Sequence, residues 1–326
     1  MREYFARKTL RSAGALFMKF PNGRTFAFTI LDDTDDSTLE NVKPVYDYLT
    51  TNGLRTTKTV WPVDCPEGSR LFFAADTLQR KEYLDFVHRL ACDGFEIAFH
   101  GATMESSRRE RTLRALEVIR QEFGAYPSLF CNHGHNKDNL YWGRKRFHTG
   151  WLSTLVGFMR KEDRSYYSGD VEGSDYFWGD VCRQHIRYVR NFTFACVNVL
   201  EADPYMPYHL SGTPYVNQWF STADAPDAAA FVGLLSDENV ERLERAGGVC
   251  ILSTHLGKGF AKNGKLDPEV ERIIQRLGQR PGWYVPASEL LDYLAAEQRR
   301  GQELGWWKLF RLETRFLLDK LYAARQ

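Results

Sequence analysis

The 326-residue chain lacks the features that mark several common classes of protein. Its six cysteines include no C-x-x-C pair and are scattered, which favours buried free thiols in a reducing compartment over a disulfide framework. No apolar run approaches the roughly 18 residues that a membrane span requires. No G-x-S-x-G segment is present to expose a nucleophilic serine. Lysine plus arginine (43) nearly equals aspartate plus glutamate (42), so no overall field favours nucleic acid.

The N-terminus also lacks the pattern of a secretory signal, because Lys19 interrupts its apolar part after only a few residues. We therefore expect a cytoplasmic protein. The apolar fraction of 43% is enough for a large buried core in a chain of this length.

Short apolar strands alternate with amphipathic helices, which is typical of an α/β fold with parallel strands. Predicted strands cover 25–31, 54–63, 94–101, 126–133, 192–200, 249–255 and 283–286. Predicted helices cover 44–51, 80–92, 107–123, 237–246, 267–277 and 288–295. Pro44 suits the first turn of the first of these helices, and Ser107 and Glu110 have the spacing of a capping box at the start of the third. The aromatic-rich middle, 140–214, gives no clear pattern beyond one strand.

Polar side chains that suit metal and proton chemistry follow four of these strands. They are Asp32 and Asp33, His100, His133 and His135, and His255. Functional groups of parallel α/β folds gather at the carboxyl ends of strands, so we expect one common site. Carboxylate plus imidazole suits zinc, and a spare carboxylate and histidine would serve as base and acid. The next two carboxylates, Asp35 and Asp36, fit a turn that caps the following helix.

The same segments resemble the motifs of polysaccharide deacetylases with a NodB-type domain, also known as carbohydrate esterase family 4. The segment ILDDT at 30–34 keeps the paired aspartates of the first motif, T-F-D-D-G. The segment DGFEIAFHGATM at 93–104 resembles DGHEI followed by H-[ST]-x-x-H, and ILSTH at 251–255 resembles the late L-x-H motif. The resemblance extends over about 25–295 and indicates a divergent member.

This resemblance implies a distorted (β/α)7 barrel at 25–298, with an N-terminal segment, 1–24, packing on it and an amphipathic helix in 299–326. It also implies a metal-dependent hydrolase that removes an N-acetyl group from a sugar of a polysaccharide or glycan precursor. By the family's roles, Asp32 is the general base and His255 the general acid. Asp33 and His100 are ligands of the metal, for which we expect Zn²⁺.

One ligand of the family's metal site is missing. Gly101 replaces Ser or Thr, and Met104, a thioether, stands where the second metal-binding histidine is expected. Either the metal has been lost or another strand supplies the ligand. We predict His133 as that ligand, with His135 as the alternative.

The family's R-x-P-x-G segment is also absent, which leaves the orientation of the base unexplained. Asn132, or alternatively Asn136, is a candidate substrate contact at that place. In the aromatic middle, we predict that Asp175 orients the acid and that Trp178 stacks on the sugar.

The C-terminal segment, 303–326, predicts an amphipathic helix in which basic residues outnumber acidic ones. This pattern fits peripheral contact with an anionic membrane, here the inner face. Docking on the barrel or on a second subunit explains it equally well. If the membrane is the partner, a lipid-linked glycan precursor becomes the expected substrate.

Three functions remain open on this sequence. The first is a metal-dependent carbohydrate deacetylase. The second is a hydrolase of another C–N bond on the same barrel and metal. The third is a barrel that binds a glycan without turning it over, and fold analogy alone does not choose among them.

Overall fold

The structure is a computed structural model that describes residues 19–71, 74–160, 163, 165–297 and 303–323. Seven parallel strands form a closed barrel in chain order, because β1 pairs with both β2 and β7. The barrel strands are β1 (Phe26–Asp32), β2 (Thr57–Val60), β3 (Glu96–Phe99), β4 (Leu129–Phe130), β5 (Tyr188–Phe194), β6 (Gln218–Asp224) and β7 (Val249–Thr254). The predicted (β/α)7 barrel is confirmed.

Helices surround the barrel. They are α1 (Leu39–Thr51), α2 (Lys81–Cys92), α3 (Arg109–Phe123), α4 (Gly150–Arg160), α5 (Gly179–His185), α6 (Val199–Ala202), α7 (Ala228–Leu234), α8 (Asp237–Arg245), α9 (Pro268–Gly278), α10 (Ala287–Glu297) and α11 (Trp306–Ala323). An antiparallel hairpin joins β8 (Ala261–Lys262) to β9 (Lys265–Leu266), and a last strand is β10 (Gly282–Tyr284). None of the described helices has the length and apolar composition needed to cross a membrane.

Strand β1 is buried along its whole length and brings together the elements that carry the site. One edge pairs with β7 up to Asp32, opposite Thr254. Two strands share the other edge of β1: β10 pairs with the first three residues of β1, and β2 pairs with its last two residues. The residues that directly follow β1 and β7, Asp33 and His255, therefore lie side by side at the carboxyl end of the barrel.

Two predicted helix starts are wrong for local reasons. Helix α1 begins before Pro44 because Thr38 and Asn41 form a reciprocal capping box, so neither Asp35 nor Asp36 caps the helix. The capping box predicted at the start of α3 does not form. The backbone N–H of Ser107 instead donates to the carboxylate of Asp138, and α3 has no side-chain cap.

The middle of the chain contains one strand that the sequence pattern missed and one that it misplaced. Strand β6 has no polar and apolar alternation because it is buried on both faces. Its Ser221 is buried and donates to Asp203, which explains a hydroxyl in the interior. Strand β5 begins at Tyr188, four residues before the predicted start, and ends at Phe194.

Both ends of the described chain pack on the barrel. Phe20 is buried against the rings of Trp283 and Tyr293, whereas residues 1–18 of the predicted N-terminal segment lie outside the described ranges. One face of α11 docks on β5, where the ring of Phe316 lies 4.7 Å from that of Phe192. The buried carboxylate of Glu313 on the same face accepts backbone N–H bonds at 148 and 149. Barrel docking therefore accounts for this face of the helix.

Candidate metal and catalytic site

Asp35 lies among three histidines at the carboxyl end of the barrel. Its Oδ1 is 3.3 Å from Nε2 of His100 and 3.4 Å from Nε2 of His133, and its Oδ2 is 3.4 Å from Nε2 of His255. Oδ1 is buried and makes no hydrogen bond with any described residue. A buried carboxylate oxygen facing two imidazole nitrogens fits a divalent cation such as zinc.

The charges of the cluster are coupled through Asp35. Burial raises the pKa of Asp35, but the imidazoles outweigh burial and hold this pKa far below its usual range. Burial lowers the pKa of His100, which stays below its usual value. For His133 and His255, burial lowers the pKa but Asp35 outweighs it, so both values are raised.

Trp61 supports two of the imidazoles and explains a departure from the family motif. Its ring lies 4.9 Å from the ring of His100 and 5.0 Å from that of His133, measured between centroids. A Cβ atom at position 101 would lie 3.3 Å from the Trp61 ring, and Gly101 has a φ of +126°. The close tryptophan and the backbone conformation therefore both favour glycine where the family has Ser or Thr.

The loop after β4 holds His133 in the cluster. The side chain of Asn132 donates to the carbonyl of Leu140 and accepts from its N–H. The prediction that Asn132 contacts substrate is therefore not supported, because its polar groups close this loop. His135 is exposed and lies outside the cluster, so of the two alternatives the structure brings His133 to the other histidines.

Asp33 is paired with a buried arginine that the sequence analysis missed. Nη1 of Arg190 donates to Oδ1 of Asp33 at 2.9 Å and to Oδ2 at 2.7 Å, and it also contacts Ser253. Burial raises the pKa of Asp33, but Arg190 and the nearby imidazoles lower it further than burial raises it. Arg190 therefore brings a guanidinium to Asp33 from β5, whereas the segment CNHGHN after β4 contains no arginine. The single charged residue in the strand sequence YVRNFTF was the available signal.

Asp32, predicted as the general base, is directed elsewhere. Its Oδ2 accepts from Nζ of Lys58 at 2.9 Å and from the hydroxyl of Tyr46 at 2.8 Å. Its Oδ1 accepts from the backbone N–H of Leu256 at 2.9 Å. Both oxygens are thus occupied inside a fully buried ion pair, and Asp32 is not brought to the histidines. Its contacts are those of a structural residue that fixes the segment after His255.

The histidine predicted as acid is oriented by backbone rather than by Asp175. Nδ1 of His255 lies 2.7 Å from the carbonyl oxygen of Pro226, which can only accept, so Nδ1 carries the proton and Nε2 faces Asp35. Asp175 is instead an exposed residue 3.7 Å from Arg108. Trp178 is 1% exposed and donates to the carbonyl of Asp138, so it is a core residue and not a sugar-stacking wall.

A second group of potential metal ligands shares His100 with the group around Asp35. Asp33, His100 and Cys131 each place one ligand atom within 4.8 Å of the others. Arg190 already neutralises Asp33, however, and burial raises the pKa of the Cys131 thiol well above its usual value. These contacts favour the group around Asp35 as the metal site.

A scan against protein-family models finds no match, and a search of curated proteins finds none either. Solved structures do match. A Mycobacterium smegmatis protein classed as a polysaccharide deacetylase is 14% identical, with a TM-score of 0.52, over 88% of this chain and 96% of that one. A Pseudomonas aeruginosa PAO1 protein of the same class is 13% identical, with a TM-score of 0.50, over 85% and 93%. At these identities the likeness shows a shared fold.

Proposed function

We propose that this protein is a metal-dependent hydrolase that removes an N-acetyl group from a sugar of a polysaccharide or glycan precursor. The observation that carries the proposal is the position of Asp35 Oδ1, buried, without a hydrogen bond among the described residues, and 3.3 to 3.4 Å from two imidazole nitrogens. The shared fold and the resembling motifs support the same reaction class.

Asp35, His100 and His133 would hold the metal. When bound there, a divalent ion such as Zn²⁺ supplies Lewis-acid stabilisation of the oxyanion that forms on the acetyl carbonyl, and it makes water more acidic. The pKa of Asp35 lies far below its usual range, so its carboxylate is ionised as a metal ligand requires, and His100 and His133 would bind the metal through unprotonated nitrogens. The side chains of Asp35 and His133 are each 17% exposed, so small molecules reach the cluster from solvent.

Asp33 is the general base in this proposal, in place of Asp32. Its lowered pKa keeps the carboxylate ionised, and Arg190 fixes its orientation. Oδ1 of Asp33 accepts only from Arg190 among the described residues, which leaves a lone pair to take a proton from the attacking water.

His255 is the general acid. Its Nδ1 proton is held by the carbonyl of Pro226, so Nε2 is the nitrogen that donates to the leaving amine. The carboxylates of Asp35 and Asp33 raise the pKa of His255, which is the direction that a general acid requires. Cleavage of that bond transfers the acetyl carbon to water and releases acetate and the free amine.

The test is acetate release by full-length, zinc-loaded protein from oligosaccharides of N-acetylglucosamine and N-acetylgalactosamine. We expect turnover that a chelator removes and zinc restores. Asp35→Asn should lower turnover by at least ~100-fold while the thermal unfolding midpoint stays within a few degrees of the parent. Val171→Ser, an exposed change on a loop, is the matched control.

Two outcomes would contradict the proposal. If zinc binds and no acetate appears from any N-acetylated sugar, the barrel acts on another C–N bond. If no divalent metal binds under any loading condition, the glycan-binding alternative replaces the enzyme.

A further inference from the structure

Two helices expose large apolar side chains at one place on the surface. On α4, Trp151, Leu155 and Phe158 follow helical spacing and share one face, and Phe158 is 84% exposed. On α11, Trp306, Trp307, Leu318 and Leu321 are exposed, with Trp307 at 71%. We call these seven residues the aromatic face.

The two sets of side chains are continuous. The half-buried ring of Phe310 connects them, because it lies 6.1 Å from the ring of Trp151 and 5.6 Å from that of Trp306 between centroids. The rings of Trp306 and Phe310 are stacked, with an interplanar angle of 4°. The rings of the two helices therefore form one patch, of the kind that marks an interaction site, and Leu318 and Leu321 extend the apolar surface further along α11.

Packing of α11 on the barrel does not explain its exposed apolar residues. Leu309, Leu312 and Phe316 are buried and form the face that docks on β5. At 100° per residue, Trp307 and Leu318 project from the opposite side of the helix. The helix thus carries two apolar stripes, and the fold uses only one.

Three cations border the outer stripe without anionic partners. Within the described ranges, Lys308, Arg311 and Arg315 form no ion pair. Lys308 lies over the ring of Tyr205, and Arg315 donates to the backbone carbonyl of Glu201. Positive charge beside an exposed apolar stripe is complementary to an anionic partner.

We propose that the aromatic face docks on an anionic lipid bilayer. Tryptophan and phenylalanine beside lysine and arginine are the residues that interfacial helices use, with the rings at the boundary between headgroups and acyl chains and the cations at the headgroups. A second copy of this chain fits less well, because α11 carries three exposed cations and, besides the buried Glu313, only Asp319 as a carboxylate to pair with them.

Docking would also place the barrel with respect to the bilayer. Nζ of Lys320, near the end of α11, donates to Thr193 and Asp224 at the carboxyl ends of β5 and β6. The histidine cluster lies at the same end of the barrel. A consequence that rests on the proposed function is that a glycan attached to a membrane lipid would be a fitting substrate.

The test is flotation of the full-length protein with vesicles of phosphatidylcholine alone or mixed with phosphatidylglycerol. We expect binding to the mixed vesicles only, weakened by added salt. The double variant Phe158→Ser with Trp307→Ser should reduce the bound fraction by about 10-fold or more, as should Lys308→Gln with Arg311→Gln. Val171→Ser and Lys265→Gln are exposed controls outside the two helices and should bind like the parent.

Three results would overturn the inference. One is absence of the protein from both vesicle fractions. Another is equal binding to neutral and anionic vesicles, since the cations would then contribute nothing. The third is a concentration-dependent dimer, measured by light scattering, that Phe158→Ser with Trp307→Ser dissociates, because the face would then belong to a second copy. None of these readouts depends on hydrolytic activity, so they are independent of the proposed function.

Discussion

Nζ of Lys58 lies 2.9 Å from Oδ2 of Asp32, and both side chains are completely buried. The hydroxyl of Tyr46 and the N–H of Leu256 complete the bonds to this carboxylate. A buried pair of this kind tolerates the loss of one partner poorly, because the other charge then stays in the interior without compensation.

Replacement Lys58→Met should therefore lower the free energy of unfolding by roughly 3–5 kcal/mol, measured by urea denaturation. The double variant Lys58→Met with Asp32→Asn should be more stable than Lys58→Met, since the neutral amide oxygen still accepts from Leu256. Lys43→Met is the matched control, because the pair with Asp47 is exposed and should contribute less than about 1 kcal/mol.

The same pair distinguishes two roles for Asp32. If Asp32 were the general base that the family resemblance implies, Asp32→Asn would abolish turnover and leave stability unchanged. The contacts predict a loss of stability instead, with zinc content preserved.

Substitutions at the two neighbouring carboxylates should separate base from ligand. Asp35→Asn should lower the zinc bound per chain by at least ~10-fold, because the amide offers no charge to the cation. Asp33→Asn should keep zinc near one equivalent and lose turnover. Metal content after dialysis, measured by atomic emission, and acetate release give the two readouts. Zinc loss in Asp33→Asn with retention in Asp35→Asn would reverse the assignment and favour the group with Cys131.

The histidines of the loop after β4 form a matched pair for the same measurement. His133→Ala should release the metal, because Nε2 of His133 lies 3.4 Å from Asp35. His135→Ala should retain it, since this side chain is exposed outside the cluster. Both residues flank Gly134, so their substitution perturbs the same loop. Retention of zinc by His133→Ala would show that the third ligand lies elsewhere.

The sequence was sufficient for the barrel and for the place of the site, because parallel strands that end in polar residues bring those residues to one end. His100, His133 and His255 do meet there. The motif assignment was misleading at the carboxylates, since adjacent positions at a strand end point to opposite sides and only the structure shows which side faces the histidines. Asp32 therefore meets Lys58, whereas Asp35, interpreted as part of a turn, meets the imidazoles.

A different reason explains why other parts of the site could not be predicted from the sequence. Arg190 comes from β5, and its pairing with Asp33 depends on the register of strands far apart in the chain. Trp178 was predicted to stack on a sugar because aromatic residues occur both in hydrophobic cores and in sugar-binding sites. Only the burial of the side chain distinguishes the two. Strand β6 carries the buried hydroxyl of Ser221, which only its tertiary contact with Asp203 explains.

A buried carboxylate that is not part of the histidine cluster makes stability depend on pH. Burial raises the pKa of Asp138 to about 6, while its Oδ1 accepts from the N–H of Ser107. The same carboxyl group titrates near pH 4 in the unfolded state. Between about pH 4 and 6 it is therefore protonated in the folded state and ionised in the unfolded state. Stability should therefore fall as pH rises through this window, by on the order of 2–3 kcal/mol in total.

Asp138→Asn should remove this penalty, because the amide oxygen still accepts from Ser107 and does not ionise. We expect the variant to gain on the order of 1–3 kcal/mol over the parent at about pH 7.5 and little at about pH 4.5, by urea unfolding. Asp93→Asn, at an exposed carboxylate, is the control and should change neither value. A gain of equal size at both pH values would mean that packing, and not ionisation, sets the difference, because only the ionised carboxylate is penalised by burial.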